Sequence, residues 1–429
     1  TQSEYTFDKP FFFFFSNPYM DNVFLVCIDC LRRDFVDGPY AKTPFLDKQV
    51  ESGTFFESMY ATATTTTPAV ASVDTGCYSE TNGVYSLRNV DLSDDVPTLA
   101  ELLSESGYKT VALTTGPLDP KTGLDRGFDE YHFREANEDL FSSWFETARE
   151  QINDLEEPFF LYLHLWEIHH PIETPKRFDE PSYGSTPYGR TLSAVDKKLE
   201  QIYELLPENT LWALYGDHGE SISTRNRYSI KALKFLRDKM RFGLGIDTRP
   251  VTNPLNRLLS KYLSSFPDHA MEDGHGQSVY DFTSNVPFVI DSLNVADDTV
   301  SEQVRQIDIF PTILELLDIS YDETAIDGES LLPPSEIDDR VAYTRGCGES
   351  LRDELNWMRS IRVDERKYIE FPNREDWKSE CYDLDTDPWE LHPLSEFDRK
   401  RFEQEFPSSD FRTTDTIDID ECLRDLGYL

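Results

Sequence analysis

The sequence predicts an α/β protein built on a doubly wound, mostly parallel sheet. Apolar, β-rich runs recur at Asn22 to Asp29, Thr110 to Thr115, Pro158 to Glu167, Thr210 to Asp217 and Val286 to Ile290. Between them lie segments with apolar residues three and four apart, among them Pro97 to Ser106, Thr191 to Leu206 and Ile309 to Leu317. Strands alternating with helices require helices on both faces of one sheet. After about Asp338 the texture changes to SIRVDERKYIEF and then ECYDLDTDPWELHPL. That alternation, closed by an Asp-x-Asp-Pro turn, predicts a small antiparallel sheet. The expected organisation is a main domain over 1–337, with a basic helical insertion at about 221–273, and a C-terminal subdomain over 338–429 that ends in a helix.

Composition narrows the function classes. The 429 residues suffice for a large core, and 38% of them are hydrophobic, so disorder does not explain a net charge of -40. The 81 acidic residues are spread along the chain, as on the carboxylate-rich surface of a halophile protein whose self-repulsion is screened by salt. Nucleic acid is therefore excluded as an expected partner. Cys27, Cys30, Cys77, Cys347, Cys381 and Cys422 lack the spacing of a zinc ribbon and the density of a disulfide scaffold, which fits a reduced, cytoplasmic setting. Cys27 and Cys30 lie in the extended run VFLVCIDC, which points them to opposite faces and argues against a redox pair. No run approaches the ~20 apolar residues that span a bilayer. The Phe11 to Phe15 cluster is far shorter and reads as a packed arm.

Parallel sheets bind ligands beyond the carboxyl ends of their strands, so the polar residues that close each run matter most. The first run closes on Asp29, the third on Glu167 to His170, and the fourth on Asp217 and His218. Singly, such residues are turn formers; grouped, they are metal-ligand types. The stretch TTTTPAVASVDTG from Thr64 to Gly76 starts a helix, with Thr67 as a cap before Pro68. The same stretch could present a hydroxyl nucleophile where helix N–H groups receive an anion.

Taken together, NVFLVCIDCLRRD, TTPAVASVDTG, WEIHHP, GDHGE and GHGQSVYDFTSNVPFVI resemble, in order, the motifs of the sulfatase-like branch of the alkaline phosphatase superfamily. The resemblance runs from about Asn22 to Pro393. It implies that family's α/β fold, a metal site at Asp29, Thr66, Asp217 and His218, and leaving-group and anion-contact histidines at His169 and His275. Arg32 matches a basic position after the first ligand, and the helix N–H groups at Thr66 and Thr67 would hold the anion.

The departures decide which chemistry to expect. Sulfatases carry Cys or Ser in a C-x-P-S-R pattern that is converted to formylglycine, whereas Thr66-Thr67-Pro68-Ala69-Val70 stands here. Threonine cannot become formylglycine. The pattern's arginine is Val70, the family's G-K-W-H lysine motif is absent, and the usual second Asp after Asp29 is Cys30. Threonine nucleophiles occur in relatives that cleave or transfer phosphate esters, so the expectation is a metal-dependent phosphoric ester hydrolase or phosphotransferase. The alternatives are a sulfatase working through threonine and a non-catalytic anion binder. His218 moves the site from oxygen-only calcium coordination toward zinc or manganese, with calcium or magnesium as alternatives. One divalent metal is favoured over two; a second would recruit Glu167, His170 and His275.

Between 225 and 262 ten bases stand against two acids, Asp238 and Asp247. Ser229 to Leu244 reads as a basic amphipathic helix. One reading packs its apolar face over the catalytic domain while its bases pair with acids. The other rests 225–262 on an anionic membrane surface, or uses it to gather a small or lipid-linked phosphate ester. Oligomeric state is left open.

Overall fold

The computed structural model describes residues 21–407 and 417, apart from 89, 135–137, 224–227, 293–294, 296 and 348–356. The Phe11 to Phe15 cluster, Arg225, Arg227, Cys422 and the expected terminal helix beyond Pro407 lie outside the described residues.

Twelve strands are described: β1 (Asn22–Ile28), β2 (Thr54–Tyr60), β3 (Lys109–Thr114), β4 (Glu130–Phe133), β5 (Phe159–Leu165), β6 (Thr210–Gly216), β7 (Asn285–Asp291), β8 (Asp298–Arg305), β9 (Ala342–Gly346), β10 (Met358–Val363), β11 (Arg366–Glu370) and β12 (Glu380–Asp383). The first eight form one sheet in the order β4-β3-β5-β1-β6-β7-β2-β8, and the last four a separate antiparallel sheet. The expected mostly parallel sheet with a small antiparallel companion is what the chain forms. β7 is the exception, antiparallel to both β6 and β2. β8 escaped the sequence pattern because DTVSEQVR is a polar, half-exposed edge strand with no apolar run.

The central strands are buried on both faces, so their side chains divide by parity. Val23, Leu25 and Cys27 of β1 join one core cluster, and Phe24, Val26 and Ile28 join the other. The first cluster is covered by the helices Thr66–Thr75, Leu99–Glu105 and Ile309–Leu316. The second is covered by Ser143–Asn153 and Pro187–Tyr203, the former contributing Trp144, Ala148 and Ile152 at four-residue spacing. This is the doubly wound arrangement. Among the described residues no helix is long and apolar enough to cross a membrane.

One contact in this helical layer carries a pH prediction. Asp196 accepts the N–H groups of Phe45 and Leu46 at 3.2 and 2.8 Å, at the start of the helix Pro44–Ser52. Burial raises its carboxyl from 3.8 to about 7. Between those values the folded state holds a proton that the unfolded chain has released, so stability falls as pH rises through the window and levels above it. The lost contribution is at most about 4 kcal/mol. Asp196→Asn has no such loss, so thermal melts should show its midpoint rising relative to wild type from pH 4 to 7 and parallel to it beyond. A constant offset at every pH would exclude this carboxyl as the source.

Candidate active site

Topology assembles the site. β1 lies between β5 and β6, all three parallel, so their carboxyl ends open side by side. Asp29 follows β1, Trp166 to His169 follow β5, and Asp217 and His218 follow β6. β2 points the same way and delivers the threonine loop; β7 points the opposite way, so the loop before it brings His275 to the same edge.

The turn after β1 is held firmly. Cys30 has φ of 64°, a left-handed conformation that a side-chain-bearing residue adopts only when its surroundings hold it there. Its N–H donates to Asp217 Oδ1 at 2.9 Å, and its carbonyl accepts from the Tyr188 hydroxyl at 2.7 Å. Gln306, wholly buried, donates to the carbonyls of Gly216 and Asp217, both at 2.7 Å, and accepts the N–H of Thr62 at 3.0 Å. It thereby stitches the end of β6 to the threonine loop.

The helix begins at Thr66 with Thr65 at its cap position, and no side chain caps it. The expected cap at Thr67 is therefore displaced by two residues: Thr67 lies inside the first turn, wholly buried, and Pro68 is the third helical residue. The first-turn N–H groups have no intrahelical acceptor and remain able to receive an anion. Val70, where the family pattern has arginine, is built into the core.

Thr66 Oγ1 lies 3.3 Å from both Asp29 Oδ2 and His218 Nε2. His218 Nε2 is in turn 3.3 Å from Asp217 Oδ2 and 3.8 Å from Asp29 Oδ1. His218 Nδ1 is 3.0 Å from the carbonyl of Gly219; as its donor, it leaves the Nε2 lone pair facing the cluster. All four residues are wholly buried. Burial, reinforced by the charge of Asp217, pushes the Asp29 carboxyl well above its usual range; burial also raises Asp217 and drives His218 well down. Asp29 Oδ1 and Asp217 Oδ2 are buried without a hydrogen-bond partner. Two carboxylate oxygens so placed, with an imidazole nitrogen and a hydroxyl converging on them, fit a divalent cation.

His169 and His275 join this cluster. Their ring centroids are 5.1 Å apart, His275 is 4.3 Å from His218, and His169 stacks on Trp166 at 4.7 Å. His275 Nδ1 sits 3.4 Å from Glu220 Oε2 and 3.6 Å from Cys30 Sγ. Donor atoms of Cys30, His169 and His275 all lie within 4.8 Å of one another. Glu167 does not join them: it is paired with Arg134 and accepts the N–H of Leu140 at 3.0 Å. Any second cation would therefore meet Cys30, His169 and His275 instead of the expected Glu167 set.

Arg32 is also taken up elsewhere. It is 1% exposed, forms two hydrogen bonds to Asp34 at 2.9 and 2.7 Å, donates to the carbonyls of Glu220 and Pro267, and lies 3.7 Å from Asp268. With its donors spent in this way, Arg32 acts as a brace behind Glu220, in place of the expected substrate contact. His164 sits behind Asp217, hydrogen-bonded to Thr115 at 2.8 Å and lowered to about 4 by burial. The sequence signal for it was a lone histidine in the apolar strand FLYLHL; that for Glu220 was the last residue of GDHGE.

The sulfatase family model matches residues 21–319. The chain belongs to the sulfatase family. It is 23% identical over 430 residues to the uncharacterized sulfatase YidJ of Escherichia coli (strain K12), spanning 87% of this chain and 82% of that protein. In fold it is similar to the phosphonate monoester hydrolase of Agrobacterium radiobacter, with a TM-score of 0.64, 18% identity, and 87% and 91% of the two chains covered. It is equally similar to BT1596, a 2-O GAG sulfatase, with a TM-score of 0.64, 18% identity, and 90% and 89% covered. Family membership makes the chain a hydrolase of the alkaline phosphatase-like superfamily, whose sulfatase-type members bind a divalent metal. Among the described residues three buried groups of this sulfatase-family chain could hold one: Asp29, Cys30 and His218; Cys27, His164 and Asp217; and Cys30, His169 and His275.

Proposed function

We propose that this sulfatase-family protein hydrolyses phosphoric esters through Thr66. The observation that carries the reading is a threonine hydroxyl at the head of a buried helix, 3.3 Å from both a carboxylate and an imidazole. A divalent cation held by Asp29, Thr66, Asp217 and His218 would supply a Lewis acid that acidifies the hydroxyl and draws charge from the ester oxygens. The imidazole of His218, with the Cys30 thiol nearby, favours zinc or manganese over calcium.

Thr66 Oγ, its proton passing to Asp29 Oδ2 at 3.3 Å, attacks phosphorus in line, and the bond to the leaving oxygen breaks. His169 or His275 gives that oxygen its proton; His275 Nδ1 lies 3.4 Å from Glu220 Oε2. The first-turn N–H groups face the charge on the non-bridging oxygens. Water then attacks the phosphothreonine at phosphorus, Thr66 regains its proton, and phosphate or a phosphomonoester departs. A sulfothreonine lacks the hemiacetal route by which formylglycine sheds sulfate, so sulfate turnover through Thr66 would stall after one cycle.

The test is a parallel assay of aryl phosphate monoester, phosphodiester, phosphonate monoester and sulfate ester on one preparation, in low and molar salt because the surface is strongly acidic. Multiple turnovers on a phosphorus ester, with at most one equivalent of phenol released from the sulfate, are expected. Sustained sulfate turnover with none on phosphorus would replace this reading with a threonine sulfatase.

A further inference from the structure

The basic insertion lies on the body inside out. One of the two readings of Ser229 to Leu244 buried its apolar face, yet the faces that the helices Tyr228–Asp238 and Arg249–Leu263 bury are largely polar. From the first helix and the turn after it, Lys234, Arg237 and Arg241 are buried. Lys234 pairs with Asp273 at 3.3 Å, and Arg237 and Arg241 with Glu272 at 3.1 and 3.6 Å. From the second, Asn256 accepts the N–H of Met271 at 2.8 Å and Ser260 that of Ala270 at 2.9 Å. Both helices therefore clasp one segment, Ala270 to Asp273, and turn their other faces away from it. Charged groups buried without partners would be prohibitive, so the fixed acids of that segment decide which stripe goes in.

The consequence is exposure of the apolar stripe. Among the described residues all eight exposed large apolar side chains lie between Leu233 and Tyr262. Phe235 is 65% exposed, Leu244 72%, Val251 66% and Tyr262 83%. Around them Lys231, Lys239, Arg257 and Lys261 are exposed, and the two acids between 225 and 262 are already paired, Asp238 with Arg237 and Asp247 with Arg249. Lys239 lies 5.5 Å from the Phe235 ring and Lys261 6.0 Å from that of Trp389. An apolar centre with aromatic side chains and a basic rim has the chemistry of a helix seated at the headgroup boundary of an anionic bilayer.

We infer that the outward face of 228–263 docks the protein on anionic lipid surfaces. Charge complementarity selects this occupant over a second copy of the chain. A two-fold contact through the same face would set its four exposed bases against four more, whereas anionic headgroups supply counter-charge to all of them. The acids elsewhere do not cancel the attraction, because only charges within a Debye length of ~8–10 Å of the surface act strongly on it. The insertion is tied to the loop that carries His275, with Arg237 donating to Met271 O and to Gln277 Oε1 and Ser221 bridging to Gly274. Docking would hold the histidine loop in a fixed relation to the membrane, whichever ester is cleaved.

The experiment is flotation of the full chain with vesicles of phosphatidylcholine, with and without a third of phosphatidylglycerol. Wild type should float with the anionic vesicles and much less with the neutral ones. A Leu236→Glu, Leu244→Glu, Leu258→Glu variant changes only exposed side chains and should keep its melting midpoint while losing about ten-fold or more in partitioning. Lys231→Gln with Lys261→Gln should lose several-fold at low salt. Failure of wild type to float, or equal flotation by the triple variant, would overturn the inference. So would a wild-type dimer in sedimentation that the triple variant converts to monomer without any vesicle binding, since the face would then be a contact between copies.

Discussion

Thr66→Ala should lower ester turnover by about 10⁴-fold or more and move the melting midpoint by only a few degrees. The alanine removes the one oxygen placed to attack, together with its hydrogen bond to Asp29. The Asp29, Asp217 and His218 cluster and the helix that starts at this residue stay in place. Thr66→Ser keeps an oxygen on the same carbon and should retain measurable activity, which separates loss of the nucleophile from general damage. The measurement is single-turnover release of an aryl leaving group beside a thermal melt of each variant. If the alanine variant kept more than about a tenth of wild-type turnover, the hydroxyl would have no place in the chemistry, since removing a covalent nucleophile costs far more than that.

Asp217→Asn should abolish metal retention and lower turnover by about 10³-fold or more. The amide oxygen can still accept the N–H groups of Cys30 and His218, now at 2.9 and 2.7 Å, so the turn after β1 survives. The negative charge that faces Asp29 and His218 does not. Stability provides an independent reading. In wild type two carboxyls are buried close together, and a bound cation stabilises the fold by about 3 kcal/mol at a hundred-fold excess over its dissociation constant. Chelation should therefore lower the wild-type midpoint by several degrees and leave that of Asp217→Asn unmoved. Elemental mass spectrometry should find close to one equivalent of metal in wild type and almost none in the variant. A metal-free wild type with full activity would exclude the cation from the reaction.

Several parts of this site were readable in the chain itself. Asp29, Asp217 and His218 close apolar strands, and a strand end in a parallel sheet is where polar side chains meet a ligand. Thr66 was readable because a run of hydroxyls before Pro68 marks a helix start, although the cap position falls at Thr65, two residues earlier than the cap expected at Thr67. Cys30 read as a departure from an aspartate pattern; only its left-handed backbone aims its thiol at His275 and Glu220. Gln306 carried no signal at all, because its role depends on three backbone groups from β6 and the threonine loop.

Arg32 and the insertion show the limit more sharply. A sequence tells that a guanidinium is present but not which acids will claim it, and Asp34 with the carbonyls of Glu220 and Pro267 claims Arg32 before any substrate could. In the insertion, helical periodicity marked the stripe but left open whether it packs inward or faces outward. Periodicity fixes which residues share a face; which face is buried depends on what the helix packs against, and here that is the segment carrying Glu272 and Asp273.

The sequence by itself determined the family, the alternation of strands and helices, and the identity of the groups that converge, since these follow from local pattern and motif order. The tertiary structure alone decided the reversed direction of β7, the pairing that withdraws Arg32 and Glu167, and the outward turn of the apolar stripe. Each of these is set by contacts between residues far apart in the chain, where desolvating a charge without a partner outweighs any local preference.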